Sequence, residues 1–413
     1  MLVAPPVIKD DVGAVKSALD RTRKGFATGK TKPLAFRVQQ LVNLKKGMQS
    51  LEKEINEAVQ KDLGREAFVT WFTEIAVVQN EIDHAIANLK KWSKPVCAET
   101  PMYLGPAKSS VVYEPLGVVC VIGSWNFPLF TTLMPLISVI AAGNCAVIKP
   151  SEVAPHVSLK IKQLILRNLD GDCYRPVEGL VEVAKALTSS NFDGICFTGS
   201  TEKGKLVAAA AAKNLVPCVL ELGGKCPVVV DESANLEFAA KEISRARFLN
   251  CGQTCVATDY VLLHYSVTDR FMRILEKEIK SQWKDGTNVA DMGKVVNEFH
   301  HDRLKSLLKG HQGTVVIGNP EADFLQPTVV LNPSRESDLM KDEIFGPILP
   351  VVSYQTIDEA IKFINAGDKP LAVYYFGSTF GKNRERLEKE TSSGALVTND
   401  TVFQIAKSSP SHL

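Results

Sequence analysis

Residues 117–148 are GVVCVIGSWNFPLFTTLMPLISVIAAGNCAVI, a run with no charged side chain, and this run decides the fold. It is long enough to span a bilayer, but its glycines, prolines and asparagines divide it into short pieces. Those pieces predict a strand, a loop, a buried helix and a second strand, in the order Val118–Ile122, Gly123–Pro128, Leu129–Ala142 and Cys145–Ile148. Uncharged strands are typical of a parallel sheet that is covered on both faces.

Further short apolar strands follow along the chain, and predicted helices fill the gaps between them. The first alternating region, from 117 to about 230, adds strands at Gly194–Thr198, Cys218–Leu220 and Val228–Val230. The second region, from about 231 to 400, has predicted strands near Tyr260–His264, Thr314–Ile317, Leu349–Tyr354 and Ala372–Phe376. This alternation predicts an α/β fold that contains two parallel-sheet domains.

The segments before residue 117 have a different character. Residues 12–95 are predicted to be helical, because apolar residues recur at helical spacing between Leu34 and Ile55 among polar ones. Residues 96–116 are rich in turns, and Ser109–Pro115 then alternates like an exposed strand. We interpret 96–116 as an arm that adds to the sheet edge of a second copy, which predicts a homodimer.

Composition excludes several classes of protein. The net charge is only +2, and Lys and Arg are spread along the chain, so nothing favours a nucleic-acid partner. The first residues lack the basic start and the apolar core of a secretion signal. The nine cysteines are odd in number and scattered, which indicates thiols in a reducing compartment and therefore a cytoplasmic protein. No transmembrane segment and no metal site are predicted.

A glycine-rich turn is the clearest candidate for a phosphate site. The chain has no GxGxxG, but Gly199–Gly204 with Lys205 gives the GxxxxGK pattern of a P-loop after an apolar strand. Leu206 stands where a P-loop has the Ser or Thr that holds magnesium, which argues against a nucleoside triphosphatase. The pattern still predicts a turn at a helix start, where backbone N–H groups favour a phosphate.

Polar side chains follow three of the predicted strands, and each has two interpretations. Lys149 and Glu152 fit contacts to ribose hydroxyls or a solvated turn. Asn126 fits an amide that stabilises an oxyanion or a structural loop residue. Glu221, before two glycines, fits a partly buried general base with a raised pKa, or a carboxylate satisfied by backbone N–H groups.

Two cysteines four positions apart, Cys251 and Cys255, are candidates for thiol chemistry. No other Cys or His lies near them at the spacing of metal ligands. A thiolate nucleophile is one interpretation, and a buried thiol that packs as a small apolar group is the other. On chemistry alone the two cysteines compete for the role of nucleophile.

Together the motifs resemble those of the aldehyde dehydrogenase superfamily, in particular its class 3 and fatty aldehyde branch. The resemblance runs from about residue 12 to about 402, and its motifs are Trp125–Pro128, Ile148–Glu152, Phe197–Thr201, Leu220–Lys225, Gly252–Cys255 and Glu343–Pro347. Similarity to class 3 lies in Lys32–Leu41, in Ala372–Phe376 and in Asn399-Asp400 after Ser392–Gly394.

The resemblance implies a role for each catalytic candidate. It selects Cys255 over Cys251 as the nucleophile. It implies that the Asn126 side chain and the backbone N–H of Cys255 form the oxyanion hole, and that Glu221 is the general base for hydrolysis.

The resemblance also implies a nicotinamide cofactor, NAD, with NADP as the possible substitute. Lys149 and Glu152 would contact the adenosine ribose, where the charge of Glu152 would disfavour a 2′-phosphate. Glu343 and Phe345 would hold the nicotinamide ribose and ring. The nucleotide-binding loop would consist of Gly199, Ser200, Thr201, Glu202, Lys203 and Gly204.

The domains implied are an NAD(P)-binding, Rossmann-like domain (1–95 and 117–222), an oligomerisation arm (96–116), a catalytic domain (223–400) and a tail (401–413). The family's glycine-rich C-terminal loop and last strand are expected to be missing from that tail. The implied activity is the oxidation of an aromatic or medium- to long-chain aliphatic aldehyde to its carboxylic acid. It would pass through a thiohemiacetal and a thioester on the cysteine, with hydride transfer to NAD(P). The alternative is a truncated, catalytically impaired relative that binds the cofactor without efficient turnover.

Overall fold

The computed structural model describes residues 10–283, 292–319, 326–402 and 404. These residues form two compact units. The first comprises the chain through Asp62 together with Ala67–Glu221, and the second comprises Leu63–Glu66 and the chain from Leu222 on. Each unit contains a sheet of mainly parallel strands, which confirms the predicted α/β class.

Residues 12–95 are mostly helical, as their apolar spacing predicts, and four more helices follow between residues 128 and 212. The helices are α1 (Val12–Ala27), α2 (Leu34–Ser50), α3 (Glu52–Leu63), α4 (Ala67–Thr70), α5 (Ala76–Trp92), α6 (Pro128–Ala141), α7 (Pro155–Asn168), α8 (Val181–Ser189) and α9 (Thr201–Ala212). A single π-helical turn, Trp71–Ile75, joins α4 to α5. Such turns shift the face on which side chains emerge, and they occur often at functional sites.

The sheet of the first unit has five strands. They are β3 (Val118–Ile122), β4 (Cys145–Lys149), β5 (Tyr174–Pro176), β6 (Gly194–Gly199) and β7 (Cys218–Leu222), in the order β5-β4-β3-β6-β7. Along the chain this is the order 3-2-1-4-5, which is the strand order of dinucleotide-binding folds. The order reverses between β3 and β6, and in such sheets ligands bind beyond the carboxyl ends of the strands at this reversal.

The uncharged run folds as predicted, into β3, α6 and β4. Every residue of both strands is buried. The ends of α6 are satisfied by buried charged groups, because the Glu74 carboxylate accepts hydrogen bonds at its N-terminus and the Arg37 guanidinium donates to Ala141 O at its C-terminus (3.0 Å). The signs of these charges complement the helix dipole. Among the residues described, no helix is both long and apolar enough to cross a membrane.

The predicted arm contains a small sheet of its own. Strand β1 (Val96–Ala98) pairs antiparallel with β2 (Ser109–Val111), with Val96 opposite Val111. All six residues of these strands are exposed. The exposed strand that was predicted to begin at Ser109 is therefore present, and it is paired within the arm.

The second unit contains a seven-stranded sheet and six described helices. The helices are α10 (Leu236–Phe248), α11 (Thr268–Trp283), α12 (Glu298–Leu307), α13 (Asp338–Lys341), α14 (Ile357–Asn365) and α15 (Lys382–Glu390). The strands are β8 (Pro227–Val230), β9 (Tyr260–His264), β10 (Thr314–Ile317), β11 (Thr328–Leu331), β12 (Ile348–Tyr354), β13 (Ala372–Phe376) and β14 (Ala395–Thr398). Their order is β10-β11-β12-β9-β8-β13-β14, and β10 is antiparallel to β11.

One strand belongs to a different sheet from the one that the alternation of elements predicts, although the catalytic-domain bounds implied by the resemblance, 223–400, include it. Val228–Val230 was counted with the first alternating region, but β8 lies inside the second sheet, between β9 and β13. Its side chains alternate between two apolar clusters, with Val228 and Val230 in one and Val229 in the other. Periodicity identifies a strand that is buried on both faces, but it does not identify the strand's neighbours.

Candidate active site

Three polar segments of the first unit follow β3, β4 and β6, the strands around the reversal of the sheet. They are the loop that begins at Gly123, the segment Lys149–Glu152, and the turn from Gly199 into α9. Because parallel strands end at the same edge of a sheet, the fold brings these three segments to one edge. The sequence predicted each of them separately as a binding element.

The Asn126 side chain lies in the loop after β3, and it is 4% exposed. The Ser124 hydroxyl donates to Asn126 Oδ1 at 2.5 Å. The loop is closed by Thr131 on α6, whose Oγ1 accepts from Ser124 N at 3.0 Å. A buried, oriented amide of this kind has the chemistry of an oxyanion donor.

Lys149 and Glu152, predicted to bind ribose, pair with each other. Lys149 is 2% exposed, and its Nζ lies 2.5 Å from Glu152 Oε2 and 3.3 Å from Pro150 O. The Glu152 side chain is 28% exposed. The pair therefore keeps a buried cation neutralised while one carboxylate remains accessible to a ligand hydroxyl.

The turn Gly199–Gly204 forms the start of α9. Ser200 is the N-cap residue, and its Oγ accepts from Lys203 N at 3.4 Å. Glu202 and Lys203 are exposed, with Lys203 Nζ 3.4 Å from Glu202 Oε1, while Gly204 is buried. Thr201 is the first helical residue. The predicted helix start after an apolar strand is thus present, with its backbone N–H groups at the edge where phosphates bind in such folds.

Glu221 differs from its prediction, because its side chain is exposed rather than partly buried. It lies on β7, the last strand of the first sheet, where Val219 and Glu221 are exposed and the alternate residues are half-buried. An edge strand leaves part of its surface uncovered. The apolar residues on either side of Glu221 suggest a buried strand, so the sequence does not reveal that β7 lies at the edge. The carboxylate is thus accessible to water.

In the second unit, a strained loop precedes Cys255. Asn250 and Cys251 both have φ of 56°, and Gly252 has φ of 73°. A Cβ atom at Gly252 would lie 2.2 Å from the carbonyl oxygen of Gly346, so only glycine fits there. Left-handed backbone at three successive residues is costly, and such strain concentrates at functional sites.

The same loop distinguishes the two cysteines. Cys251 is 2% exposed, and burial raises the pKa of its thiol to about 12. Cys255 is half-buried instead. A thiol must be accessible and must ionise in order to attack a substrate, so the structure favours Cys255 over Cys251.

Two side chains, Gln253 of the quoted motif and Tyr374 outside it, fix the loop. The Gln253 side chain donates to Asn250 O and to Lys294 O, both at 2.9 Å, and accepts from Val296 N at 3.0 Å. The Tyr374 hydroxyl donates to Val256 O at 2.6 Å. The Gly-Gln-Thr-Cys motif contains Gln253, but nothing in the sequence identifies its backbone partners.

Glu343 lies beside the glycines that follow β7. A Cβ atom at Gly223 would lie 2.0 Å from Glu343 Oε2, and the backbone N–H of Gly224 donates to this carboxyl group. Burial raises the pKa of Glu343 to about 8, and the charge of Asp259 contributes. Its Oε1 is buried and has no hydrogen-bond partner within the described residues. Phe345, two residues later, has φ of 51°.

A buried ion network, also missed from sequence, supports the Glu343 segment. Asp259 accepts from Arg247 Nη1 (3.0 Å), from Lys225 Nζ (2.7 Å) and from the backbone N–H of Ile344 (3.1 Å). Arg247 is fully buried, and its Nη2 donates to Gly346 O. Asp259 follows Cys255 by four residues, so the network connects the Cys255 loop to the Glu343 segment.

The described part of the chain contains no group of three or more His, Cys, Asp or Glu side chains that could hold a metal ion. All nine cysteines lie in described residues, and all are free thiols.

Comparison with known proteins identifies close relatives. The model of the aldehyde dehydrogenase family matches residues 7–410. The chain is 41% identical to the 4,4'-diaponeurosporen-aldehyde dehydrogenase of Staphylococcus aureus over 387 residues, which are 92% of this chain and 84% of that protein. It is 38% identical to the dimeric NADP-preferring aldehyde dehydrogenase of Mus musculus, covering 95% of this chain and 86% of that protein.

A family 3 member and a solved structure are also similar to this chain. The chain is 38% identical to aldehyde dehydrogenase family 3 member A2 of Mus musculus, covering 94% of this chain and 81% of that protein. The substrate-bound structure of Staphylococcus aureus AldH superimposes with a TM-score of 0.91 at 40% identity, covering 95% of this chain and 86% of that one.

Proposed function

Because the chain belongs to the aldehyde dehydrogenase family, and within it to the class 3 branch, we propose that Cys255 is the nucleophile with which it oxidises apolar aldehydes. The enzyme class, an NAD(P)-dependent aldehyde dehydrogenase, follows from the family. The observation that carries the choice of nucleophile is the accessible Cys255 on a strained loop, four residues from the fully buried thiol of Cys251. The comparisons give no support to the alternative of an impaired relative.

In the first step, the Cys255 thiolate adds to the aldehyde carbon and forms a thiohemiacetal. The aldehyde oxygen becomes an alkoxide, and the family motif assigns its stabilisation to the Asn126 amide and the backbone N–H of Cys255. The buried, oriented Asn126 side chain supports that assignment. Loss of hydride from the adduct leaves an acyl group on the sulfur as a thioester.

In the second step, water hydrolyses the thioester and regenerates the thiol. Glu221 accepts the proton of the attacking water, and the products are the carboxylic acid and the free Cys255 side chain. This role rests on the family motif, and the exposed Glu221 carboxylate can exchange protons with solvent.

The residues present fit a nicotinamide dinucleotide. Lys149 and Glu152 would bind the adenosine ribose, and the N–H groups of Gly199–Gly204 would bind the phosphates. Glu343 would accept a hydrogen bond from the nicotinamide ribose through its buried Oε1, and Phe345 would contact the ring. When bound, the cofactor accepts the hydride that leaves the aldehyde carbon.

The proposed substrates are aromatic or medium- to long-chain aliphatic aldehydes. The resemblance to class 3 motivates this choice, and the Staphylococcus aureus relative is named for 4,4'-diaponeurosporen-aldehyde. We also propose a homodimer, in line with the name of the dimeric murine relative. A cytoplasmic location is proposed because all nine cysteines are free thiols.

Separate replacement of Cys255 and of Cys251 by serine tests the proposal. Cys255→Ser is expected to lower the rate of NADH formation from a medium-chain aldehyde by about a thousandfold or more, because a serine hydroxyl does not ionise at neutral pH. Cofactor affinity, measured by calorimetry, should stay within about twofold of the wild type. The matched control, Cys251→Ser, should retain turnover. Near-normal turnover of Cys255→Ser would show that Cys255 is not the nucleophile.

A further inference from the structure

The loop that carries Asn126 is held by a set of hydrogen bonds that the reaction as described does not use. Asn126 is two residues after Ser124 and two residues before α6 begins at Pro128. Its position therefore depends on how the start of α6 is fixed and on what contacts its own amide.

Glu74 fixes the start of α6. Its side chain is fully buried, and its Oε2 accepts from Leu129 N at 2.7 Å and from Phe130 N at 3.0 Å. These are backbone N–H groups of the first helical turn, which have no partner inside a helix. A carboxylate at this end also complements the helix dipole. The helix start is thus held by two charge-assisted hydrogen bonds.

Thr131 closes the loop against the same helix. Its Oγ1 accepts from Ser124 N at 3.0 Å, and it lies 3.1 Å from Ser124 O and 3.0 Å from Phe127 O. The backbone on both sides of Asn126 is therefore bound to one side chain of α6. The loop is thus tied to the helix on both sides of Asn126.

Within this frame, the Ser124 hydroxyl contacts the Asn126 amide directly and contributes to its orientation. The Ser124 hydroxyl donates to Oδ1 at 2.5 Å, which directs the Nδ2 hydrogens to the opposite side of the amide plane. Without this bond, the terminal torsion of an asparagine side chain is broad and roughly twofold. A donor that must meet a developing oxyanion gains from being fixed before the reaction begins.

We propose that Ser124 is a positioning residue that holds the Asn126 amide with its N–H donors directed at the reacting oxygen. The proposal rests on the oxyanion role assigned to Asn126 in the proposed function. In this role Ser124 acts through its hydrogen bond to Asn126. The sequence motif ends at Trp125 on this side, so Ser124 was not among the predicted site residues.

Steady-state kinetics of Ser124→Ala, Ser124→Thr and Asn126→Ala test the proposal. Ser124→Ala is expected to lower kcat by about tenfold to a hundredfold, below the cost of about a hundredfold or more for removing an oxyanion donor outright. The KM for the cofactor should change by less than about twofold. Ser124→Thr keeps the hydroxyl and should restore kcat to within about threefold of the wild type.

The double variant separates positioning from a general loss of stability. If Ser124 acts only through Asn126, Ser124→Ala combined with Asn126→Ala should turn over no more slowly than Asn126→Ala alone. The control is Ser158→Ala, which removes a 2.9 Å hydrogen bond between the buried Ser158 hydroxyl and the Glu178 carboxylate. It should lower the melting temperature and leave kcat unchanged.

Three outcomes would overturn the proposal. Wild-type kcat in Ser124→Ala, or rate losses that multiply in the double variant, would remove the positioning role while leaving the function of Asn126 intact. Full turnover in Asn126→Ala would remove both roles, and the Cys255→Ser variant would then show whether the proposed nucleophile survives.

Discussion

The fold disfavours the charged form of the Glu343 carboxyl group. Burial raises its pKa from the ordinary value of 4.5 to about 8, with a further contribution from the charge of Asp259. Below the lower value the group is protonated whether the chain is folded or unfolded. Between the two values, only the folded chain keeps the proton. The folded state therefore binds more protons, and this group destabilises the fold progressively as the pH rises through that range.

Replacement of Glu343 by glutamine should remove this pH dependence. Relative to Glu343→Gln, the wild-type melting temperature is expected to fall between about pH 5 and pH 8 and then to level off. Thermal unfolding in a series of buffers measures the difference. The exposed Glu336→Gln variant is the control for exchanging a carboxylate for an amide. A difference between wild type and Glu343→Gln that stays constant with pH would contradict the prediction.

Individual residues also show the limit of inference from sequence. Cys255, Asn126 and Glu221 could be singled out because their motifs specify residue type and order. The exposure of Glu221 could not be predicted, since it depends on β7 lying at the edge of the sheet. The Asp259 network could not be predicted either, because Lys225, Arg247 and Ile344 meet only in the folded chain.

At the level of the helix, α6 is stabilised by buried charges that its own sequence does not contain. Glu74→Ala would leave two buried N–H groups without their carboxylate partner. The free energy of unfolding should fall by about 3 kcal/mol or more, because each buried unsatisfied donor costs about 1–3 kcal/mol. Glu74→Gln retains an acceptor oxygen and should lose less.

Denaturant titration followed by circular dichroism measures the effect of both Glu74 variants. The control is Glu66→Ala, at an exposed position, which should change stability by less than about 0.5 kcal/mol. Equal losses in Glu74→Ala and Glu66→Ala would show that the hydrogen bonds to Leu129 and Phe130 contribute nothing to stability.

The predictability of the elements depended on their length and burial. Strands β3, β4 and β9 are five-residue buried segments, and the sequence predicts them to within a residue. Strands β5, β11 and β14, of three or four residues, were not predicted, although the four-residue strands β8 and β10 were, so prediction at this length is uneven. β5 also contains a proline at an edge position, which period-2 patterns do not reveal.

At the scale of the molecule, the arm exposes an apolar surface in the part of the chain that the structure describes. Met102, Tyr103, Val112 and Tyr113 are 95%, 84%, 61% and 68% exposed. An isolated two-stranded sheet is only marginally stable in water, and exposed apolar patches of this kind mark interaction sites. A second copy of the chain is the partner that we propose for this surface.

Light scattering after size exclusion should therefore give twice the chain mass of 45.1 kDa. Lysine at both Val112 and Tyr113 places two like charges on the proposed interface, and burial of unpaired charges is costly. This double variant is expected to run as a monomer with an unchanged circular dichroism spectrum. Phe380→Lys, at a residue that is 99% exposed elsewhere on the chain, should remain dimeric. A wild-type protein at the monomer mass, or a double variant that stays dimeric, would show that the arm does not mediate self-association, and its exposed apolar residues would then require another partner.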